Sequence, residues 1–245
     1  MSPRIALATA RRVLLQLRGD PRTIALLVVV PSALLVLMRF VFDRDAAVFQ
    51  RVGVPMLGIF PLVSMFLVTS IAMLRERTTG TLERLMTMPL AKLDILAGYG
   101  IAFAVMAFVQ AGVASAVGFG ALGLSVAGPV WMVVALAVAN ALLGMSLGLF
   151  LSAFASTEFQ AVQFMPAFLL PQLLLCGLIA PRGGMASLLG WTSDVLPMTY
   201  AYDALTRVAA EPAPGGRVLL DAAVLIAATL LALLLGAATL RRRTG

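Results

Sequence analysis

Long apolar runs separated by short polar segments dominate the chain, and their lengths predict membrane-spanning helices. About 20 consecutive apolar residues cross the hydrocarbon core of a bilayer as an α-helix. Because six runs reach this length, the pattern predicts an all-α membrane protein with six transmembrane helices. The predicted spans cover residues 23–42, 53–74, 95–122, 130–155, 161–180 and 218–240.

The first 22 residues predict an amphipathic helix that lies in the membrane interface ahead of the first span. Arg4, Arg11 and Arg18 repeat every seven residues along one stripe of this helix. Apolar side chains gather on the opposite side: Ala6, Leu7, Ala10, Val13, Leu14 and Leu17. Basic amphipathic helices lie parallel to a membrane surface. We therefore assign residues 1–22 to an interfacial helix and residues 23–245 to the transmembrane domain.

Composition supports the membrane assignment and predicts the orientation. Charged residues make up 12% of the chain, about half of the ~25% that soluble domains carry. The net charge of +7 comes from basic residues between the apolar runs, where they act as topology signals and not as a nucleic-acid surface. With both termini in the cytoplasm, twelve Lys and Arg fall in inner segments and five in outer ones. This bias predicts cytoplasmic termini.

Side chains that carry catalytic or metal chemistry are scarce. The chain has no His and a single Cys, Cys176, which argues against a metal cluster and excludes an intramolecular disulfide. Its single lysine, Lys92, lacks the glycine framework of a P-loop. Proton-driven carriers keep an acidic residue or His near the middle of the membrane, whereas here the acids fall at the span ends: Asp43, Asp94, Glu158 and Asp221. We therefore predict no catalytic residue, no cofactor and no metal in this chain, and an energy source on another polypeptide.

The polar segment after the second span carries an ordered motif, E-x-x-x-G-T-x-E-x-L-x-x-x-P. Its fixed positions are filled by Glu76, Gly80, Thr81, Glu83, Leu85 and Pro89. Gly80 can cap a helix N-terminus, Glu83 complements the free N–H groups that follow, and Pro89 ends the helix. A short rigid helix of this kind suits a groove on a soluble partner. A solvated charge cluster would explain the charges but not this order of Gly, Glu and Pro.

The motif resembles the loop after the second span in permease subunits of type-2 ATP-binding-cassette (ABC-2 type) transporters. A second stretch, C-G-L-I-A-P at 176–181 followed by L-P-M-T-Y-A-Y-D-A-L at 196–205, resembles the daunorubicin-resistance-like drug efflux permeases of that family. The resemblance implies a transport subunit without its own ATPase site, which exports a drug-like, lipidic or saccharide substrate. It also implies two copies of a separate ATPase subunit that bind ATP and Mg, and a second permease subunit, identical or related. Arg in place of Lys, with abundant Ala and Gly, is typical of a GC-rich bacterial genome, so we expect the chain in a bacterial cytoplasmic membrane.

The resemblance further implies which residues carry each role. Within the loop 75–94, coupling to the ATPase falls to Glu76, Gly80, Thr81, Leu82, Glu83, Arg84, Leu85 and Pro89. Spans two and five supply the substrate-pathway candidates Phe60, Met65, Phe66, Phe164, Phe168 and Gln172. The segment 181–217 becomes an external gate of re-entrant helices, with candidates Pro181, Trp191, Pro197 and Tyr200.

Other interpretations stay open at this point. A motor-independent secondary carrier or channel needs no acid at the midplane. An integral enzyme acting on lipid would need a nucleophile, an acid and base pair or a metal, and no such set stands out in a chain without His. An interfacial belt of Trp191, Tyr200 and Tyr202 also explains the segment 181–217, and packing against helices or lipid also explains the aromatic pathway candidates. Co-purification with a P-loop ATPase distinguishes the permease from these alternatives.

Overall fold

The computed structural model describes residues 2–81 and 92–239, and these residues form α-helices without β-strands. In chain order the helices are α1 (Pro3–Arg18), α2 (Pro21–Val41), α3 (Ala46–Thr78), α4 (Lys92–Ala116), α5 (Val130–Leu151), α6 (Glu158–Leu175), α7 (Ser187–Val195), α8 (Pro197–Ala210) and α9 (Gly216–Ala238). A π-helical turn, Val117–Ala121, extends α4, and a short 3-10 turn, Arg182–Gly184, precedes α7. For this part of the chain the all-α prediction is confirmed.

Aspartate caps fix where the second and third helices begin. Asp20 Oδ1 accepts the Thr23 N–H at 3.2 Å, and Pro21 fills a first-turn position that needs no backbone donor. Asp45 Oδ1 accepts the Val48 N–H at 3.2 Å at the start of α3. Each cap satisfies a backbone N–H that the helix itself leaves unpaired. The polar residues between the two apolar runs therefore begin a helix instead of extending a loop.

The helix that contains the predicted second span, 53–74, is longer than that span at both ends. The sequence places residues 43–52 in a loop, whereas α3 begins at Ala46 and includes Arg51. At its other end α3 continues through Arg75 and Glu76 to Thr78. The predicted coupling loop 75–94 therefore begins inside a helix.

Five helical segments of the described residues are long and apolar enough to cross a membrane. They are α2, α3, the part of α4 from Ala97 through the π-helical turn, α5 and α9. This supports a multi-pass membrane protein. The helix α6, which contains Glu158, three Gln residues and two Pro residues, is not among the five. The predicted fifth span over 161–180, and with it the total of six spans, stays a prediction, as do the re-entrant helices.

Two glycines bring α3 and α5 into backbone contact at the centre of the bundle. A Cβ added at Gly144 would lie 2.1 Å from the Leu62 carbonyl oxygen, and one at Gly148 would lie 2.5 Å from the Phe66 carbonyl oxygen. Small residues four positions apart let membrane helices approach this closely. Thr69 Oγ1, 3.2 Å from the Met145 carbonyl oxygen, adds a polar contact across the same interface.

Loop contacts define one face of the bundle, which we call the Gln50 face. The Gln50 side chain donates to the Gly123 carbonyl oxygen at 2.8 Å, which joins the start of α3 to the segment between α4 and α5. The Gly128 N–H donates to the Val208 carbonyl oxygen at 3.0 Å, which joins that segment to the end of α8. The start of α3, the end of α4 and the end of α8 therefore lie on the same face.

The opposite ends of these helices meet on a second face, which we call the Arg75 face. Arg75, near the end of α3, contacts Glu158 at the start of α6. The Ser2 N–H, just before α1, donates to Asp94 Oδ1 near the start of α4 at 3.0 Å. Successive helices α3 and α4 therefore run in opposite directions between the two faces, as membrane spans do.

Candidate functional site

The helix α3 ends in a left-handed turn at Gly80, the single glycine of the motif from Glu76 to Pro89. The Thr79 N–H donates to the Arg75 carbonyl oxygen at 2.9 Å, and Gly80 then adopts φ +73°. A residue with a side chain adopts this conformation at a cost of about 1–2 kcal/mol, and glycine there commonly terminates a helix. A Cβ on Gly80 would meet no atom within 4 Å, so there is room for a side chain. Glycine is favoured here because of the backbone conformation alone. Gly80 therefore ends α3, a position that the sequence motif alone does not reveal.

Arg75 joins the end of α3 to the start of α6. Its Nε lies 2.7 Å from Glu158 Oε1, and its Nη2 lies 3.3 Å from Oε2, which makes a two-pronged ion pair. The hydrogen bond from Arg75 holds the pKa of Glu158 below its usual range. Both side chains are more than half exposed, so the pair contributes at most about 1 kcal/mol. The pair therefore serves mainly to fix the start of α6 beside the end of α3, and it adds little to the stability of the fold.

Glu76, the next residue, joins the same helix end to α1 and α4. Arg12 Nη2 on α1 lies 3.6 Å from Glu76 Oε2, and the Glu76 side chain is only 13% exposed. Arg12 also donates to the Tyr99 hydroxyl on α4, and its guanidinium lies 5.7 Å from the centre of the Tyr99 ring. The first acid of the coupling motif therefore faces partners inside the chain and not solvent.

A cavity of about 480 Å³ lies beneath this helix end. It is bordered by α1, α2, α3 and α4, and its lining mixes polar and apolar side chains: Val13, Leu17, Asp20, Arg75, Glu76 and Tyr99. Thr79 and Thr81 line it as well. The turn after α3 therefore borders an open space and not the packed core.

Three of the eight coupling candidates belong to the described residues. Glu76 lies in the last turns of α3, Gly80 in the left-handed turn and Thr81 beyond it, with Thr81 Oγ1 3.1 Å from Thr79 Oγ1. The other five lie outside the described residues: Leu82, Glu83, Arg84, Leu85 and Pro89. Their coupling role stays a prediction.

The three pathway candidates on α3 lie mostly within the bundle. Met65 and Phe66 are 0% exposed, and Phe66 belongs to the contact between α3 and α5. Phe60 is half-buried and packs against the same core. In a single copy of the chain, only Phe60 of these three therefore reaches the surface.

The pathway candidates on α6 are more accessible. Phe168 is 45% exposed, and its ring packs edge to face on Phe164 with 6.5 Å between the ring centres. Gln172 is buried, its amide nitrogen donates to the Phe168 carbonyl oxygen at 3.1 Å, and its amide oxygen has no hydrogen-bond partner among the described residues. Of these candidates, the aromatic Phe168 is therefore accessible and the polar Gln172 is not.

The four gate candidates lie in the turn after α6 and in the two short helices of the segment 181–217. Pro181 is exposed after α6, and Pro197 occupies the first turn of α8. Trp191 on α7 is 71% exposed, whereas the Tyr200 hydroxyl donates to the Asp194 carbonyl oxygen at 2.6 Å. The side chains of α8 that pack into the bundle are Met198, Thr199, Ala201, Ala204, Leu205 and Val208.

Arg182 holds the parts of this segment together. Its Nη1 lies 3.3 Å from Asp203 Oδ2 on α8, and it also pairs with Asp194 on α7. At the end of α6 the Leu175 carbonyl oxygen accepts a hydrogen bond from Ser193 Oγ at 2.9 Å. Both short helices are therefore fixed to the Gln50 face by polar contacts.

Sequence reasoning missed the cations that organise both faces, Arg12 and Arg182. A signal for Arg12 existed, because this residue stands outside the seven-residue stripe of the other arginines on α1. Tyr99 was visible as a polar group near the start of an apolar run. Nothing in the local pattern identifies their partners, which lie 64 positions or more away for Arg12.

The chain is similar in sequence to a family of transport proteins and to two individual transporters. A family model described as ABC-2 type transporter matches residues 5–209. ABC transporter G family member 20 of Dictyostelium discoideum is 27% identical over 141 residues, which cover 58% of this chain and 19% of that protein. The probable multidrug ABC transporter permease YbhR of Escherichia coli K12 is 29% identical over 130 residues, which cover 53% of this chain and 35% of that protein. The matched regions are thus only a minor part of either relative.

Proposed function

The chain belongs to the ABC-2 type transporter family, and from this premise we propose that it is the permease subunit of an ATP-driven exporter. A separate ATPase subunit, present in two copies, binds ATP and Mg in the proposed complex. A second permease subunit, identical or related, completes the pathway. The observation that carries the proposal is the ordered motif from Glu76 to Pro89, which begins in the last turn of α3, where Arg75 and Glu76 form ion pairs with other helices.

The end of α3 suits the transmission of force because two consecutive side chains tie it to different helices. Arg75 contacts α6 through Glu158, and Glu76 contacts α1 through Arg12. A push by the ATPase on residues 82–91 would reach α3 through the Gly80 turn. From α3 the displacement would pass to α5 through their backbone contact at Gly144.

We assign the substrate pathway to the exposed side of α6 together with α3. The helix α6 begins beside Arg75 on one face and ends beside Ser193 on the other, which supports its assignment as the predicted fifth span. Its 18 residues extend about 27 Å, close to the ~30 Å of a bilayer core. Gln163 on α6 is exposed, and exposing a polar side chain of a membrane span to lipid is costly. This favours a pathway or a second permease subunit beside it.

The segment 181–217 is proposed as the external gate, with re-entrant helices that dip into the outer leaflet. Its helix α8 packs into the bundle, whereas Trp191 on α7 faces outward. The Arg182 pairs with Asp194 and Asp203 would move the two short helices as one unit. Opening would then require the hydrogen bond between Ser193 and Leu175 to break.

The proposal includes a substrate class and a cellular location. The E. coli relative is described as a probable multidrug permease, which agrees with efflux of a drug-like compound; lipidic and saccharide substrates fit the family resemblance equally. The excess of Lys and Arg in the predicted inner segments supports cytoplasmic termini in a bacterial cytoplasmic membrane.

Co-purification combined with transport tests the proposal. The chain purified alone should hydrolyse no ATP, and the chain expressed with its P-loop ATPase should form a complex that does. Glu83→Arg should insert and express normally, while transport into vesicles falls severely because the reversed charge would oppose the N-terminus of the predicted docking helix and the proposed ATPase surface. Arg44→Glu makes the opposite reversal at an exposed position between α2 and α3 and should leave transport intact.

Two results would overturn the coupling assignment. One is transport at the wild-type rate by Glu83→Arg at equal expression. The other is transport by the purified chain in vesicles without any ATPase, which would instead favour the motor-independent carrier.

A further inference from the structure

The helix α1 presents two unlike sides, and only one of them packs on the protein. Its buried side chains, Ala6, Thr9, Ala10, Val13 and Leu17, face the bundle. A Cβ added at Gly98 of α4 would lie 2.4 Å from Thr9 Cβ and 2.8 Å from the Ala6 carbonyl oxygen. The apolar stripe that the sequence predicts to enter the lipid therefore packs mostly against α4.

The opposite side, which we call the outward face of α1, alternates arginine with leucine. Going along the helix it carries Arg4, Leu7, Arg11, Leu15 and Arg18, spaced three or four residues apart, so they form one stripe. All three arginines are exposed, and Leu7 and Leu15 are 59% and 53% exposed. The helical wheel grouped Leu7 with the buried side, and that placement is wrong.

The outward face carries positive charge that the described residues leave uncompensated. No acidic residue occurs between positions 2 and 19. The ion pairs of the described residues use Arg12, which points to the bundle, and none uses Arg4, Arg11 or Arg18. A fully solvated face would not need two large apolar side chains between these cations. Alternating arginine and leucine instead fit a surface that is anionic at the level of the headgroups and apolar just below it.

The position of α1 brings this face to the membrane boundary. Two residues, Gly19 and Asp20, separate α1 from α2, and a two-residue segment extends at most about 7 Å. The candidate span α2 begins immediately at Pro21. The end of the outward face that carries Arg18 therefore lies next to the start of a candidate membrane span.

We propose that the outward face of α1 binds the headgroups of anionic phospholipids. The guanidinium groups of Arg4, Arg11 and Arg18 contact the phosphates, and Leu7 and Leu15 enter the upper acyl region between them. Each arginine near an anionic surface favours binding by about fivefold. The helix then fastens the Arg75 face of the bundle to its leaflet.

Tryptophan quenching by brominated lipids measures this preference in the full chain. The two native tryptophans are replaced, Trp131→Phe and Trp191→Phe, and Leu15→Trp places a reporter between Arg11 and Arg18. In vesicles, brominated phosphatidylglycerol should associate with this site about fivefold more strongly than brominated phosphatidylcholine. Added salt should reduce the difference because surface charges are screened.

Matched variants distinguish the effect on lipid preference of charge on the outward face of α1 from the effect of charge elsewhere in the chain. Arg11→Gln with Arg18→Gln should remove the preference, and Arg11→Lys with Arg18→Lys should retain it. Arg44→Gln with Arg51→Gln removes two exposed arginines near the opposite face and should leave the preference unchanged. As a second readout that needs no reporter, phosphatidylglycerol should raise the unfolding temperature of the native chain more than that of the Arg11 and Arg18 double glutamine variant.

Equal quenching by the two brominated lipids, with equal unfolding temperatures, would overturn the proposal. So would loss of the preference in the Arg44 and Arg51 control. If a bound ATPase subunit shields the Leu15→Trp reporter from both lipids, the outward face belongs to a protein partner, and the lipid proposal is wrong.

Discussion

Replacing Gly144 by alanine tests the helix contact at the centre of the bundle. The new Cβ would lie 2.1 Å from the Leu62 carbonyl oxygen and 2.8 Å from the Leu62 carbonyl carbon. Even a close carbon to oxygen contact needs about 3.3 Å, so α5 must move about 1 Å away from α3. Because the obstructing atoms belong to the backbone, no side-chain rotation relieves the overlap.

The size of the effect follows from two opposing contributions. Overpacking of a tight interface costs about 1–3 kcal/mol, and here a shift also loosens the contacts of Gly148 with Phe66 and of Thr69 with Met145. Alanine in place of glycine returns about 0.5–1 kcal/mol of helix propensity. We therefore expect Gly144→Ala to lower the free energy of unfolding by about 1–2 kcal/mol.

Unfolding of the purified chain in detergent, followed by circular dichroism, measures this loss. Gly112→Ala on α4 is the matched control, because a Cβ at Gly112 would meet no atom within 4 Å. The control should unfold at the wild-type midpoint or slightly above it. If Gly144→Ala is as stable as Gly112→Ala, then α3 and α5 are not in backbone contact and the reasoning is refuted.

Three further predictions concern the Arg75 face. Glu76→Gln and Arg12→Gln, alone and combined, should give a coupling of about 1 kcal/mol in a double-mutant cycle of unfolding, and additive effects would contradict their contact. Because the hydrogen bond from Arg75 lowers the pKa of Glu158 from 4.5, the contribution of this ion pair to folding stability is complete above pH 4.5 and is lost as the pH falls through the lower pKa of the folded state. The Glu158→Gln variant should therefore lose less stability on acidification than the wild type. Identical loss of stability with acid in both proteins would count against the pair. Gly80→Ala should lower stability by about 1 kcal/mol while Gly80→Asn, which tolerates left-handed backbone, should cost less; equal effects would mean that the turn does not need this conformation.

The helices were predictable because their signals are local. Apolar runs, prolines and aspartates within a few residues of each start are enough to place most of α2, α5 and α9. The start of α3 was missed because Gln50 and Arg51 look like loop residues. Gln50 is helical here, and its amide reaches the Gly123 carbonyl oxygen, a contact that no local pattern contains.

The candidate site was predictable only as a motif. Glu76 and Gly80 stood out by their order, but the partners of this helix end, Arg12 and Glu158, lie 64 and 82 positions from Glu76 in sequence. Ion pairs across such separations depend on helix packing, which the sequence pattern of a single chain does not specify. The same holds for Leu7, whose side of α1 is decided by how α1 rests on Gly98.

The neighbouring pairs of Arg75 and Glu76 limit how the end of α3 can move. Consecutive residues of an α-helix project about 100° apart around its axis, so one tether pulls toward α6 and the other toward α1. Twisting α3 about its own axis would carry both side chains away from their partners at once. Sliding α3 lengthwise together with α1 and α6 would stretch neither. The two ion pairs therefore oppose rotation of the end of α3 relative to α1 and α6, whereas a lengthwise shift of the three helices as one group leaves both pairs intact.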